Sequence, residues 1–405
     1  MNFTLVGNIK AIKETDKFKP YQEREFDSGW TNRTLMFNAI CGDNRHMLTL
    51  QAGCYPQKKD YKIVTFSPSY SDDSGNRKQG ERIEIPWKDR LLQSSIDKVA
   101  AFRKIVVDLE VSGRRRDLEN FATKLHEGGT LTDEELQRVG LKEESEVAEA
   151  LETSKKKRHE FITAWDAAEF VKKVLDSGKY ENKKFYIRGQ FECRWSDQNQ
   201  QWYTNMVPQS IMLAKPDSAD LSQGSATLFF TSGAVDDMDL DEKNKYYVNA
   251  YTFEYDSTRK KNIPCPFQLV IPNKMPDKDG RSDSNDEARS KLVVKKFTVE
   301  NDSVKEYGIQ FDILNGSQRM EITPDMLTDE QREELDLGMI TMDDIRSELG
   351  SSVYGERIRE NRYSGIMRGY SKGVKDTAYT VADLEIPPLE DVTEGLFDDE
   401  DADDL

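Results

Sequence analysis

Short runs of β-branched and aromatic residues, each bounded by Gly, Asp, Asn, Pro or Ser, recur along the first 271 residues of this chain. Runs of that length with those boundaries are strands, and strands spaced that closely close on one another as barrels or sandwiches. The first group comprises residues 3–12 (FTLVGNIKAI), 34–41, 46–52, 62–67 and 102–109. It predicts a small β barrel or sandwich over residues 1–110. Between residues 113 and 178 the period changes. Thr132 and Glu135 have the spacing of a capping box, and Phe161, Trp165, Ala168, Val171 and Leu175 recur at helical spacing. A helical insertion or bridge over 111–182 is expected.

Strand signals return in residues 184–195, 201–214, 226–230, 246–255 and 267–271, which predicts a second β domain over 183–290. Residues 273–289 (NKMPDKDGRSDSNDEAR) read as a polar loop or linker. Helix starts at Thr328 with Gln331 and at Thr341 with Asp344 mark a mixed α/β extension over 291–384. Pro387 and Pro388 close the ordered part before an acidic tail, residues 385–405, expected to be disordered. The fold class is therefore α+β, predominantly β: two β domains, a helical insertion and a disordered acidic tail.

The length of 405 residues exceeds the ~250–300 at which single cores stop growing. With 36% hydrophobic and 33% charged residues, small surface-rich domains joined by solvated segments are expected. No apolar run approaches the roughly 18–20 residues of a membrane helix, and the N-terminus lacks a signal-peptide layout, so a cytoplasmic protein is expected. Cys41, Cys54, Cys193 and Cys265 are scattered and form no CxxC, the pattern of reduced thiols and not of a disulfide framework or zinc site.

The net charge of −17 is localised. Residues 385–405 hold ten acids and no base, and residues 300–350 hold fourteen acids against four bases. Residues 1–299 are left at +1, which still permits a nucleic-acid-binding body. Enzyme signatures are missing. The three histidines, His46, His126 and His159, lie in different segments, and there is neither a GxxxxGK[ST] loop nor a GxGxxG after a strand. Asp237, Asp239 and Asp241 open like a calcium loop, but Glu242 stands where its glycine belongs and Val248 where its bidentate Glu belongs. No catalytic residue, metal or cofactor is expected.

What the sequence offers instead is rings interleaved with cations. Lys183, Lys184, Tyr186, Arg188, Arg194, Trp195 and Trp202, with Tyr247 and Tyr251 further on, fit a surface that stacks bases on rings and tracks phosphates with Lys and Arg. The same rings would also fill a core and pair across strands. A second basic-aromatic stretch contributes Arg357, Arg362, Tyr363 and Arg368; its glycines suggest a segment able to wrap a flexible strand, or one packed against the acidic 300–350 region. Arg114–Arg116 and residues 155–158 are compact basic runs, read as solvated helix faces or phosphate contacts.

Residues 395–405, GLFDDEDADDL, place the apolar pair Leu396 and Phe397 ahead of Asp398, Asp399, Glu400, Asp401, Asp403 and Asp404. Two small β domains, rings among bases, and this ending resemble phage and bacterial single-stranded DNA-binding proteins. The resemblance implies two OB-fold barrels, sequence-tolerant binding of single-stranded DNA in replication, recombination or repair, and an acidic tail that recruits replication or recombination proteins. The chain departs from many such tails by ending on Leu405, not on an aromatic residue. A mobile polyanion tethered to a cationic groove competes with DNA for it at high effective concentration. A virion or assembly protein, whose β domains and acidic regions hold neighbouring proteins, is the other class left open. The oligomeric state is not legible.

Overall fold

The computed structural model describes residues 1–71, 76–256, 258–277, 280–319, 327–342, 344–345, 354–370 and 373–387. The tail residues named above, Leu396 to Asp404, lie outside them. Strand accounts for 41% of the structure and helix for 24%, so the expectation of a predominantly β chain holds.

Ten strands make two closed rings. The first consists of β1 (Asn2–Ala11), β2 (Thr31–Cys41), β3 (Asn44–Cys54), β4 (Lys184–Ser196) and β5 (Gln201–Leu213). β1 pairs with β2, β2 with β3, β5 with β4 and β4 with β1, all antiparallel, and one parallel contact, Met206 opposite Leu48, closes β5 onto β3. The second consists of β6 (Leu221–Phe230), β7 (Lys245–Asp256), β8 (Lys261–Pro272), β9 (Lys305–Arg319) and β10 (Tyr354–Ile366). Its pairings repeat the same order, with β8 and β10 parallel at Leu269–Asn361 and Val270–Arg362. Alternation puts Phe185 and Ile187, and likewise Leu228 and Phe230, inside their rings, all at no measurable exposure.

This arrangement redraws the expected grouping. β4 and β5, assigned by sequence to the second β region, complete the first ring, because β1 has no other partner for residues 2–7 on that side. Among the described residues, 62–66 pair only with 82–86, in a separate two-stranded ribbon. That excursion is bound to the first ring by a chain of rings, Trp30, Tyr55, Tyr61, Trp87 and Trp165, with neighbouring centroids 4.9 to 6.0 Å apart. Arg33 and Arg90 lie over Trp165 and Trp87, each 4.0 Å from the ring centroid.

The expected insertion contains three helices, α1 (Arg114–His126), α2 (Asp133–Arg138) and α3 (Val147–Lys155), but of the residues at helical spacing Phe161 ends a short strand, Arg158–Phe161, ahead of the helix that carries Trp165 to Leu175. The Thr132–Glu135 capping box is present at the start of α2. Leu118, Phe121, Leu136, Val139 and Val147 give these helices a small core of their own. The two compact basic runs are partly engaged at the foot of the insertion, where Arg114 and Lys157 flank Glu110 and Arg115 and Arg158 flank Asp108, while Arg116 and Lys156 are exposed. Beyond them α4 (Ala164–Asp176) packs on β1, β2 and β3, and α5 (Asp286–Phe297) lies between the third and fourth strands of the second ring. No helix among the described residues is long and apolar enough to cross a membrane.

The rings are fused by their first strands. β1 and β6 run antiparallel from Asn2 opposite Ser225 to Val6 opposite Leu221, and one apolar cluster runs through both rings. β1 also has to leave β4 and turn to β2. A Cβ on Gly7, at that crossing, would stand 2.0 Å from the Ile40 carbonyl oxygen, so only glycine allows the approach. Gly7→Ala should therefore cost about 1–3 kcal/mol of stability, the usual penalty of forcing an extra carbon into a packed site, measurable by urea unfolding.

Candidate nucleic-acid interface

Past the ring, β4 and β5 continue as a projecting hairpin in which Trp195 pairs directly with Trp202, their ring centroids 5.7 Å apart. Trp195 Nε1 donates to Asp197 at 3.0 Å, and Asp197 in turn accepts from Arg259 of the β7–β8 turn at 2.5 Å. Only 3% of the Arg259 side chain is exposed, and Asp256 lies 3.5 Å from it. The guanidinium holds the Asp197 carboxyl below the usual carboxylate range. The hairpin of the first ring is thus latched onto the second.

Between hairpin and latch lies an open groove of about 1000 Å³, lined by Arg194, Trp195, Trp202 and Tyr203 on one side and by Glu254 and Tyr255 on the other. Tyr203 and Tyr255 are 43% and 65% exposed. Among the described residues nothing accepts from the buried Trp202 Nε1. Through Cys193 and Asn205 the groove continues into a cleft of about 400 Å³ bordered by Met47, Phe267, Gln268, Asn315 and Arg359. Pro264 and Pro266 stand in β8 along this stretch, where, among the described residues, β8 has no strand partner beyond β7; prolines leave no unpaired N–H on such an edge. Burial pushes the Cys41 thiol up to about 12 and the Cys54 thiol up to about 11; all four cysteines are free, as their scatter predicts.

Of the residues singled out by sequence, the structure brings Arg194, Trp195 and Trp202 together here. Tyr186 and Arg188 sit on the outer face of β4, with both Arg188 Nε and Nη2 donating to the Tyr186 hydroxyl at 2.8 and 2.6 Å. Lys183 is exposed beside them. Lys184 is committed to the chain between the rings, donating to Ser218 O at 2.8 Å and pairing with Asp220 at 3.0 Å. Tyr247 and Tyr251 lie on the outer face of β7.

The second basic-aromatic stretch is corrected more sharply. Its residues 354–366 are strand β10, paired along most of its length with β9, so it does not wrap a flexible strand but packs against part of the acidic 300–350 region, the other alternative. Tyr363 is 8% exposed and belongs to the core, where burial beside Tyr307 raises its hydroxyl pKa. Arg362 pairs with Glu360 at 2.6 Å, a carboxylate it shares with Lys245 at 3.0 Å. Arg357 donates to Asn315 at 3.2 Å and stays exposed, as does Arg368 in the turn after β10. Sequence reading missed Arg259, whose role exists only once two distant turns meet. Tyr203 and Tyr255 carried a signal, Tyr203 as the immediate neighbour of Trp202 and Tyr255 as the next member of the alternating run Tyr251, Phe253.

The groove is not uniformly cationic. Burial raises the carboxyl pKa of both Glu192 and Glu254; for Glu254 the Met1 ammonium 3.8 Å away opposes the shift and Glu192 adds to it. A carboxyl raised in the folded state binds its proton there more tightly than in the unfolded chain. The folded state is consequently penalised as pH climbs from the ordinary value of 4.5 through the folded one. Glu254→Gln should leave the melting temperature near wild type at pH 4.5 and raise it progressively towards pH 8, followed by calorimetry; a variant equally shifted at both pH values would mean that its ionisation is not penalised.

No family model matches this sequence, and no curated protein matches it. Among solved structures, the chain is similar to the wild-type single-stranded DNA binding protein from Thermus aquaticus, at 8% identity and a TM-score of 0.25, over 77% of this chain and 84% of that one. A deletion mutant of the same protein, carrying one further substitution, gives the same identity and TM-score over 80% of this chain and 96% of that one. At a TM-score of 0.25 this likeness carries no argument about the present chain.

Proposed function

We propose that this chain is a non-enzymatic, sequence-tolerant single-stranded DNA-binding protein built on two OB-type barrels, residues 1–214 and 221–384, with the helices of 114–155 inserted in the first. The strand order in each ring, first to second to third to fifth to fourth and back to first, with a helix between third and fourth, is that of an OB barrel. Such barrels take oligonucleotides on the face of strands two and three and on the loop between strands four and five. The observation that carries the reading is the groove of Trp195, Trp202, Tyr203 and Tyr255 beside Arg194. It lies between the four–five hairpin of one ring and the two–three face of the other. Every base has a π face for such rings, while exposed Arg194, Arg188, Lys183 and Arg359 can meet phosphates, so binding would not depend on base identity.

Protection of single strands in replication or recombination, in the cytoplasm, follows as the role of such a protein. Leu396, Phe397 and the acids after them would recruit partner proteins when DNA displaces the tail from cationic surface.

Titration of a labelled oligothymidine tests this directly. Log K should fall linearly with log salt, by about 0.7 per neutralised phosphate. Trp195→Ala should lose roughly 1–3 kcal/mol of affinity with its melting temperature nearly unchanged. No binding at low salt would overturn the reading, and a Trp195→Ala chain that unfolds would place that ring in the structural support. Removing residues 395–405 should tighten binding, most at low salt, where a tethered polyanion competes best.

A further inference from the structure

The outer face of the second ring carries rings that its core does not use: Phe229 on β6 and Tyr247, Tyr251 and Phe253 on β7. The part of this face around Phe229 and Phe253 is covered. Residues 375–376 pair with Lys305 and Glu306 at the β9 edge, and the chain then crosses the face as far as Pro387. Tyr379 lies flat on Phe253, ring centroids 4.0 Å apart and planes 16° apart, and meets Phe229 edge-on at 5.2 Å. At the far end the Pro387 carbonyl accepts from Arg259 Nε at 2.7 Å, the same guanidinium that latches the hairpin beside the groove.

Two features suit this segment to displacement. Tyr379 offers Phe253 a flat face, the contact a base would also make, whereas Phe229 and Phe253 meet edge-on at 72°; side chains adopt both geometries. The segment is also weakly seated. Of residues 377–387 only Leu384 is buried, and the Thr380 and Asp383 side chains bond to one another across a single turn. A stretch with one buried apolar residue opens at far lower cost than the strands beneath it.

We propose that this face is a second base-stacking surface and that residues 377–387 are a strap that occupies it until DNA displaces them, with Tyr379 in the place of a base. The proposal rests on the single-stranded DNA reading above. A strap closed in most molecules lowers apparent affinity by the fraction of molecules that are open, so loosening it tightens binding without adding a contact.

The test uses the full-length chain and a labelled oligothymidine at fixed salt. Tyr379→Ala should bind about fivefold tighter or more, since the open fraction rises, while Tyr379→Phe, which keeps the ring, should match wild type. In wild-type protein, saturating oligothymidine should strip hydrogen-exchange protection from residues 377–387. Wild-type binding combined with unchanged or weaker affinity in Tyr379→Ala and unchanged protection of the strap would overturn the strap and leave the DNA reading standing. Failure of wild type and variant alike to bind would overturn the DNA reading, and the base-stacking role of this face with it. A misfolded Tyr379→Ala would bind less, but the exchange measurement on wild type decides the matter without any substitution.

Discussion

Everything in this molecule depends on β1 being shared. Its first half is hydrogen-bonded on both sides, to β4 of its own ring and to β6 of the other, and its second half turns at Gly7 to pair with β2. Because β1 and β6 are the same strand of their respective rings and run antiparallel, the rings are related by an approximate two-fold rotation. The pairing of first with fourth strand is filled alike in both rings but with the roles exchanged: Phe3 of the first strand covers Gly189 of the fourth, whereas in the second ring Phe311 of the fourth strand covers Gly224 of the first. His46 seals the junction from the side. Burial lowers its pKa to about 4, keeping it neutral, and its Nε2 is 2.7 Å from the Ser222 hydroxyl, which donates to Ile313 O.

The two-fold relation makes each ring complete the surroundings of the other. The β4–β5 hairpin reaches over to the β7–β8 turn through Asp197 and Arg259. The β9–β10 hairpin reaches back to the β2–β3 turn, where Asn315 N donates to the Asn44 side chain at 2.9 Å and Asn315 Nδ2 donates to Arg45 O at 2.7 Å. The groove lies between one of these hairpins and the face it reaches. Its walls come from strands more than fifty residues apart in sequence, and neither ring alone would hold Trp202 and Tyr255 on opposite sides of one space.

Charge distribution agrees with that division of labour. Many cations that look available in the sequence are spent inside the protein, Arg114 and Arg115 at the foot of the insertion, Lys184 on the inter-ring chain and Arg362 with Lys245 on Glu360. Those still exposed, such as Arg188, Arg194, Arg357 and Arg368, are spread over the rings.

Local patterns determined the strands, the helical insertion and the capping boxes at Thr132 and Thr328, because alternation, helical spacing and cap chemistry act over a few residues. They also marked Arg194, Trp195 and Trp202 as a unit, since cross-strand neighbours in a tight hairpin are near in sequence. Partnership between distant strands was decided only by the tertiary structure. Alternation states which face of β4 is apolar but not which strand it lies beside, so residues 184–213 were grouped with the strands that follow them instead of with β1. The same limit hid the fate of Tyr363, whose Arg-rich neighbours suggest a surface while its partner strand turns it inward. It hid the flat stack of Tyr379 on Phe253 as well, because two rings separated by well over a hundred residues meet only when the chain has been wound into its second ring.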